Sequence, residues 1–133
     1  MRTVLALMIG CLLISSGCAA SLRGKWDGSG EIGEARFFAF KVDFKSSVPS
    51  ARFEYSGGQV VKTVICDLVT RDGNVTFKMD PSRSIEDCAT MVTPLTFVGI
   101  YGLDVLTGNV FDRSSPGQDR LVGIFRAFRE RTP

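Results

Sequence analysis

Along most of the chain, hydrophobic and polar residues alternate with a period of two, and turn residues interrupt the alternation at short intervals. The clearest run, residues 38–44, places three Phe and one Val on one parity, with Ala, Lys and Asp between them. Such alternation is typical of a β-strand that buries one face. Asp72–Gly73 separates two further runs and predicts a tight hairpin.

This pattern predicts eight strands, nearly all joined by short connections. They cover residues 23–32, 38–45, 51–55, 59–70, 74–79, 95–101, 104–111 and 120–129. Residues 80–93 break the pattern, and Ser84–Asp87 is expected to cap one helical turn. Eight antiparallel strands with short turns favour an all-β up-and-down barrel, because closure removes the exposed sheet edges. A two-sheet β-sandwich is the alternative.

Composition narrows the functional classes. The 133 residues are the length of one domain, and a net charge of +2 without any basic block argues against a nucleic-acid partner. The sequence contains no His, so the commonest general base and the usual zinc ligand are missing. No nucleophile motif or inward carboxylate pair replaces them. We therefore expect a protein that is not an enzyme and that uses neither a metal nor a cofactor.

The first twenty residues have the composition of an export signal. Arg2 precedes an apolar run at residues 4–14, and small residues follow at 15–20. The segment from Ile14 to Cys18 resembles the lipobox of bacterial lipoproteins, in which cleavage occurs before a lipid-modified Cys. The resemblance implies a signal peptide at residues 1–17, lipidation of Cys18, a short tether at residues 18–22 and a β-barrel domain at residues 23–133.

The same segment indicates where in the cell the protein is located. Ala19 lacks the acidic character associated with retention at the inner membrane, so the resemblance implies an outer-membrane lipoprotein that faces the periplasm. Cleavage by ordinary signal peptidase after Ala20 remains the alternative, and it would give a secreted or soluble periplasmic protein.

Two cysteines remain in the mature domain. Cys66 and Cys88 form an even pair in an oxidising compartment, so we expect a disulfide between them, with two buried free thiols as the alternative. A bridge that closes this loop stabilises the fold by about 3 kcal/mol in the chain-entropy description.

The first and last strands carry a family resemblance. Gly24-Lys25-Trp26 at the start of the first strand, with Arg126 and Arg129 in the last, is similar to the pattern of the lipocalins and the wider calycins. The resemblance implies that Trp26 packs across the barrel floor beneath an Arg from the last strand. These four positions are the expected barrel-closing residues of a lipocalin-like domain.

Ten Phe residues suggest two uses of the barrel interior. Seven fall on predicted inward positions: Phe38, Phe40, Phe44, Phe53, Phe77, Phe97 and Phe125. An aromatic-lined cavity would bind one small hydrophobic ligand, and the residues expected to line it are Trp26, Phe40, Phe53, Phe77 and Phe97. The alternative is a barrel filled by its own side chains.

A hollow and a filled barrel interior predict different functions. A hollow barrel predicts a lipid-anchored, lipocalin-like protein that binds a hydrophobic ligand in the cell envelope. A filled barrel predicts an envelope scaffold or accessory protein that acts through protein–protein contacts. Outward-facing Phe37, Val98, Ile100 and Phe128 are candidates for such a docking patch.

Overall fold

The computed structural model describes residues 21–34 and 36–131. The predicted signal peptide and Cys18 lie outside these residues. Nine strands are described: β1 (Lys25–Ile32), β2 (Arg36–Asp43), β3 (Ser50–Tyr55), β4 (Val60–Val64), β5 (Cys66–Arg71), β6 (Asn74–Met79), β7 (Leu95–Tyr101), β8 (Val105–Asp112) and β9 (Arg120–Arg129). A 3₁₀ turn spans Cys88–Thr90, and the Asp87 side chain accepts a hydrogen bond from the Ala89 backbone N–H at its start.

The strands form one antiparallel sheet that curls into an open half-barrel, which confirms the all-β prediction. The predicted closure of the barrel is not observed, because the edge strands β4 and β5 do not pair with each other. The order of the strands is β4-β3-β2-β1-β9-β8-β7-β6-β5, so every neighbour in the sheet except β1–β9 is also a neighbour in the chain. The exceptional pair joins the first strand to the last and places Trp26 opposite Arg129. Because the described strands make a single sheet, the β-sandwich alternative is wrong.

The predicted count of eight strands is also wrong. The fourth predicted strand, residues 59–70, is divided at Ile65, and its halves β4 and β5 pair with β3 and β6 at the two edges of the sheet. The Ile65 N–H instead donates to the carbonyl of Pro49 at 2.8 Å. Asp67 then has a φ of 52°, and the pairing register shifts between Cys66 and Val69. An unbroken alternation of residues does not reveal such a bend.

Residues 80–93 cover part of the opening between the two edge strands. The N–H of Val64 donates to the carbonyl of Ile85 at 3.0 Å, and the N–H of Ile85 donates to the carbonyl of Lys62 at 2.9 Å. The predicted disulfide between Cys66 and Cys88 is present and joins the same segment to β5. These contacts satisfy backbone groups that an open edge leaves exposed.

The core lies on the concave face of the sheet. All seven Phe residues that the parity placed inward are buried there: Phe38, Phe40, Phe44, Phe53, Phe77, Phe97 and Phe125. Val42, Val61, Leu106 and Val110 complete the same cluster. The outer face of the strands carries most of the charged side chains, as alternation across a half-buried sheet requires.

The strong curl depends on positions where neighbouring strands approach closely. Gly108 of β8 pairs with Gly99 of β7, and a Cβ atom at Gly108 would lie 2.1 Å from the carbonyl oxygen of Val98. Only glycine fits at that distance without moving the backbone of β7. Gly108 is therefore a site of close approach between β7 and β8.

We predict that Gly108→Ala destabilises the domain by about 1–3 kcal/mol, because the added methyl group overlaps backbone atoms that cannot rotate away. Denaturant unfolding followed by Trp26 fluorescence measures the change. Gly57→Ala is the control, since a Cβ atom at Gly57 meets nothing within 4 Å. Equal stability of the two variants would contradict the close-approach explanation.

Candidate functional site

One end of the half-barrel is closed by the pair of residues that the family resemblance singled out. Trp26 is 0% exposed, and its indole N–H donates to the carbonyl of Leu22 at 2.9 Å. The guanidinium of Arg129 lies 4.2 Å from the centre of the indole ring. A cation held over a buried ring in this way is attracted by the negative face of the aromatic system.

Arg129 also binds three backbone carbonyls. It donates to the carbonyl of Leu103 at 2.6 Å, to that of Arg23 at 2.7 Å and to that of Ser21. Gly24 allows this arrangement, because its φ is 132° and a Cβ atom there would lie 3.1 Å from the Arg129 guanidinium. One side chain thus joins the N-terminal segment, the β7–β8 turn and the last strand.

Arg126, the other predicted barrel-closing Arg, lies elsewhere. It is three positions from Arg129 in β9, so it has the opposite parity and is exposed on the outer face. Its strand partners are Ser29 and Thr107. Of the four predicted closing residues, the structure brings together Gly24, Trp26 and Arg129.

We predict that Arg129→Lys destabilises the domain by about 2 kcal/mol or more. A lysine ammonium lacks the planar fork that reaches three carbonyls while covering the indole. Urea unfolding and the emission maximum of the only Trp report the loss. Arg126→Lys is the matched control and should change stability by less than about 0.5 kcal/mol.

The five residues predicted to line a ligand cavity are buried, and the rings of the four Phe residues among them contact one another or neighbouring aromatic rings. Phe40 stacks on Phe53 with a centroid separation of 5.7 Å, and Phe77 stacks on Phe97 at 5.3 Å. Phe125 lies between these stacks and meets Phe97 at 5.5 Å and Phe40 at 6.2 Å. These are ordinary contact distances for packed aromatic side chains.

A polar contact closes the other end of the core. The Tyr55 hydroxyl donates a hydrogen bond to the carbonyl of Pro81, and the guanidinium of Arg36 lies 4.1 Å from the centre of the Tyr55 ring. Burial raises the pKa of the Tyr55 hydroxyl above the ordinary 10.0; the Arg36 charge opposes the rise and the Asp80 charge adds to it. The hydroxyl attaches residues 80–93 to the rim of the barrel.

We predict that the protein loses stability as the pH rises above about 10, and that Tyr55 accounts for part of this loss. The unfolded chain ionises this tyrosine first, because the folded state has the raised pKa and holds the proton longer. Unfolding midpoints across alkaline pH measure the effect. The variant Tyr55→Phe should lose less stability over this pH range than the wild-type chain. A second variant, Tyr101→Phe, leaves Tyr55 as the only tyrosine, and its absorbance titration should show ionisation above pH 10.

The outer face bears a groove of about 870 Å³, called here the outer groove. One row of paired residues crosses it from β2 to β7: Phe37, Glu31, Ile124, Asn109 and Val98. Phe37, Ile124 and nearby Ile100 are 58%, 50% and 59% exposed. Arg126 and Glu31 place opposite charges beside these apolar side chains.

A second groove, of about 560 Å³, is lined mainly by charged side chains. Lys41, Arg52 and Lys62 lie directly opposite one another on β2, β3 and β4. Asp27 lies 3.8 Å from Lys41, and Glu54 lies 2.8 Å from Arg52. These exposed ion pairs offset most of the repulsion along the row and leave little excess charge to attract an anion.

Residues 21–34 and 36–131 contain no cluster of three or more potential metal ligands. Within the same residues, no helix has the length and hydrophobicity needed to cross a membrane. Comparisons with protein-family profiles, with curated proteins and with solved structures found no match to this chain.

Of the four outward-facing apolar residues that line the outer groove, sequence reasoning found Phe37, Val98 and Ile100 but missed Ile124. The signal was present, because Ile124 has the parity opposite to Phe125, which the pattern had placed inward. Phe128, the remaining candidate for a docking patch, is exposed on β9 but does not line the groove.

Proposed function

We propose that this chain is an exported, lipid-anchored envelope protein of lipocalin-like fold, whose domain works as an accessory or scaffold module through protein contacts at the outer groove. The observation that carries the proposal is the filled interior. Hydrophobic ligand binding requires space between the rings of Phe40, Phe53, Phe77 and Phe97. Contacts at 5.3–6.4 Å occupy that space with other aromatic side chains.

The outer groove supplies the surface that such a module needs. Its exposed Phe37, Ile124 and Ile100 are large apolar side chains on alternate strands of the sheet, β2, β9 and β7. Glu31 lies between Phe37 and Ile124, and Arg126 also lines the groove. Large exposed apolar side chains combined with polar groups are typical of a protein-binding surface. Asn109, which lies between Ile124 and Val98, and Ser29 add hydrogen-bonding groups.

The proposed lipid anchor and the proposed lipocalin-like fold are supported by separate observations. Lipidation of Cys18 is supported by the lipobox-like segment, and the expected location is the periplasmic face of the outer membrane. The disulfide between Cys66 and Cys88 agrees with an oxidising compartment. The lipocalin likeness is supported by the stacking of Arg129 on Trp26 and by the antiparallel pairing of β1 with β9.

A photo-crosslinking residue at Ile124 of the full chain, expressed in its own cells, tests the docking function. We expect a discrete adduct with an envelope protein, and Phe37→Asp in the same chain should lower its yield about tenfold, as loss of a hot-spot side chain does. The same crosslinker at Val92, which is 73% exposed but outside the groove, is the control.

Two results would overturn the proposal. One is equal crosslinking from Ile124 and Val92. The other is a small hydrophobic molecule that remains bound in native mass spectrometry of the purified domain and is lost when Phe97→Trp fills the interior further. Radiolabelled palmitate tests the anchor independently, because Cys18→Ser should abolish the incorporation of label.

A further inference from the structure

The end of the half-barrel that carries Trp26 is the end where the described chain begins. Ser21 is fixed there, because Arg129 binds its carbonyl. Only three residue steps separate Ser21 from Cys18 in the sequence. Three steps of extended chain reach at most about 10 Å. A lipid on Cys18 therefore keeps this end within about 10 Å of the bilayer surface.

Two loops at this end expose apolar side chains. Val48 lies in the β2–β3 loop and is 61% exposed, and Leu103 lies in the β7–β8 turn and is 69% exposed. The β7–β8 turn is fixed to the end by the bond from Arg129 to the Leu103 carbonyl. The β2–β3 loop begins beside Gly24, whose carbonyl accepts a 2.7 Å hydrogen bond from the Phe44 N–H.

Cations surround these two side chains. Arg23, Lys25 and Lys45 are exposed at the same end. Of the neighbouring acids, Asp43 accepts hydrogen bonds from the backbone of Lys45 and Ser46, and Asp104 lies 3.7 Å from Arg131. Glu130 and Glu86 are exposed and line the second groove together with Lys25.

We propose that the Trp26 end rests on the anionic surface of the membrane that holds the anchor, with Val48 and Leu103 in the interfacial layer and Arg23, Lys25 and Lys45 against lipid phosphates. This inference rests on the proposed lipidation of Cys18. Loops with apolar tips and flanking cations bind such surfaces by combining apolar burial with charge attraction. Each cation near an anionic surface strengthens the attraction by about fivefold. The outer groove on the barrel wall would then stay accessible from the periplasm.

Brominated phospholipids, which quench Trp on contact, provide the test. The full lipidated chain carrying Leu103→Trp is reconstituted into vesicles of phosphatidylglycerol and phosphatidylcholine. We expect quenching at least about twice that of Val92→Trp, because Val92 precedes β7 while Leu103 follows it, and seven strand residues span about 20 Å. The wild-type chain, whose single Trp26 is buried, gives the baseline.

Changing Arg23, Lys25 and Lys45 together to Gln should reduce the quenching of Leu103→Trp to its value in pure phosphatidylcholine vesicles. A chain that stays with the vesicles but shows equal quenching at positions 103 and 92 overturns this inference and leaves the anchor intact. A chain that carries no lipid and does not float with vesicles overturns the anchor as well. Circular dichroism of each variant checks that these exposed substitutions leave the fold unchanged.

Discussion

The guanidinium of Arg129, stacked on the indole of Trp26, joins the last strand to the first, and the rest of the structure depends on this junction. Among the described strands, β1 and β9 are the only sheet neighbours that are distant in the chain. Without their pairing, the remaining strands form two separate meanders. Three backbone carbonyls bound to the same side chain extend the junction to the N-terminal segment and the β7–β8 turn. A charge-assisted bond to a carbonyl is worth more than a neutral one, so this contact is among the strongest polar interactions in the fold.

The junction brings the two meanders face to face, and their aromatic side chains meet. Phe40 and Phe53 come from the first meander, and Phe77 and Phe97 come from the second. Phe125, next to the junction on β9, contacts both stacks. Tight contact between rings stabilises the fold, and the groove proposed for recognition lies on the outer face. The same curl that fills the interior also shapes the outer groove, because Gly30, Gly99 and Gly108 bring neighbouring strands close together.

The two edge strands of the sheet, β4 and β5, are not joined by strand pairing as β1 and β9 are. Strands β4 and β5 diverge on either side of Ile65, and the sheet stays open there. The segment at residues 80–93 pairs with β4 through Ile85, and the disulfide ties it to β5. The edge of β4 is covered by this segment, and a covered edge is a poor template for pairing with other chains.

Local sequence determined which residues face inward, because side chains alternate across a strand whatever its neighbours are. The buried Phe residues and the all-β class were readable in this way. The pairing of Cys66 with Cys88 followed from the cysteine count, and the contact of Trp26 with an Arg of the last strand followed from the family resemblance, which did not distinguish Arg129 from Arg126. Tertiary structure alone decided the division of residues 59–70 at Ile65, since a bend depends on which strand offers hydrogen bonds on each side. It also decided that the rings contact one another, because parity gives the direction of a side chain but not the distance to the opposite wall. The outer groove likewise required the structure, since Phe37, Ile124 and Val98 come from three strands whose register no single segment encodes.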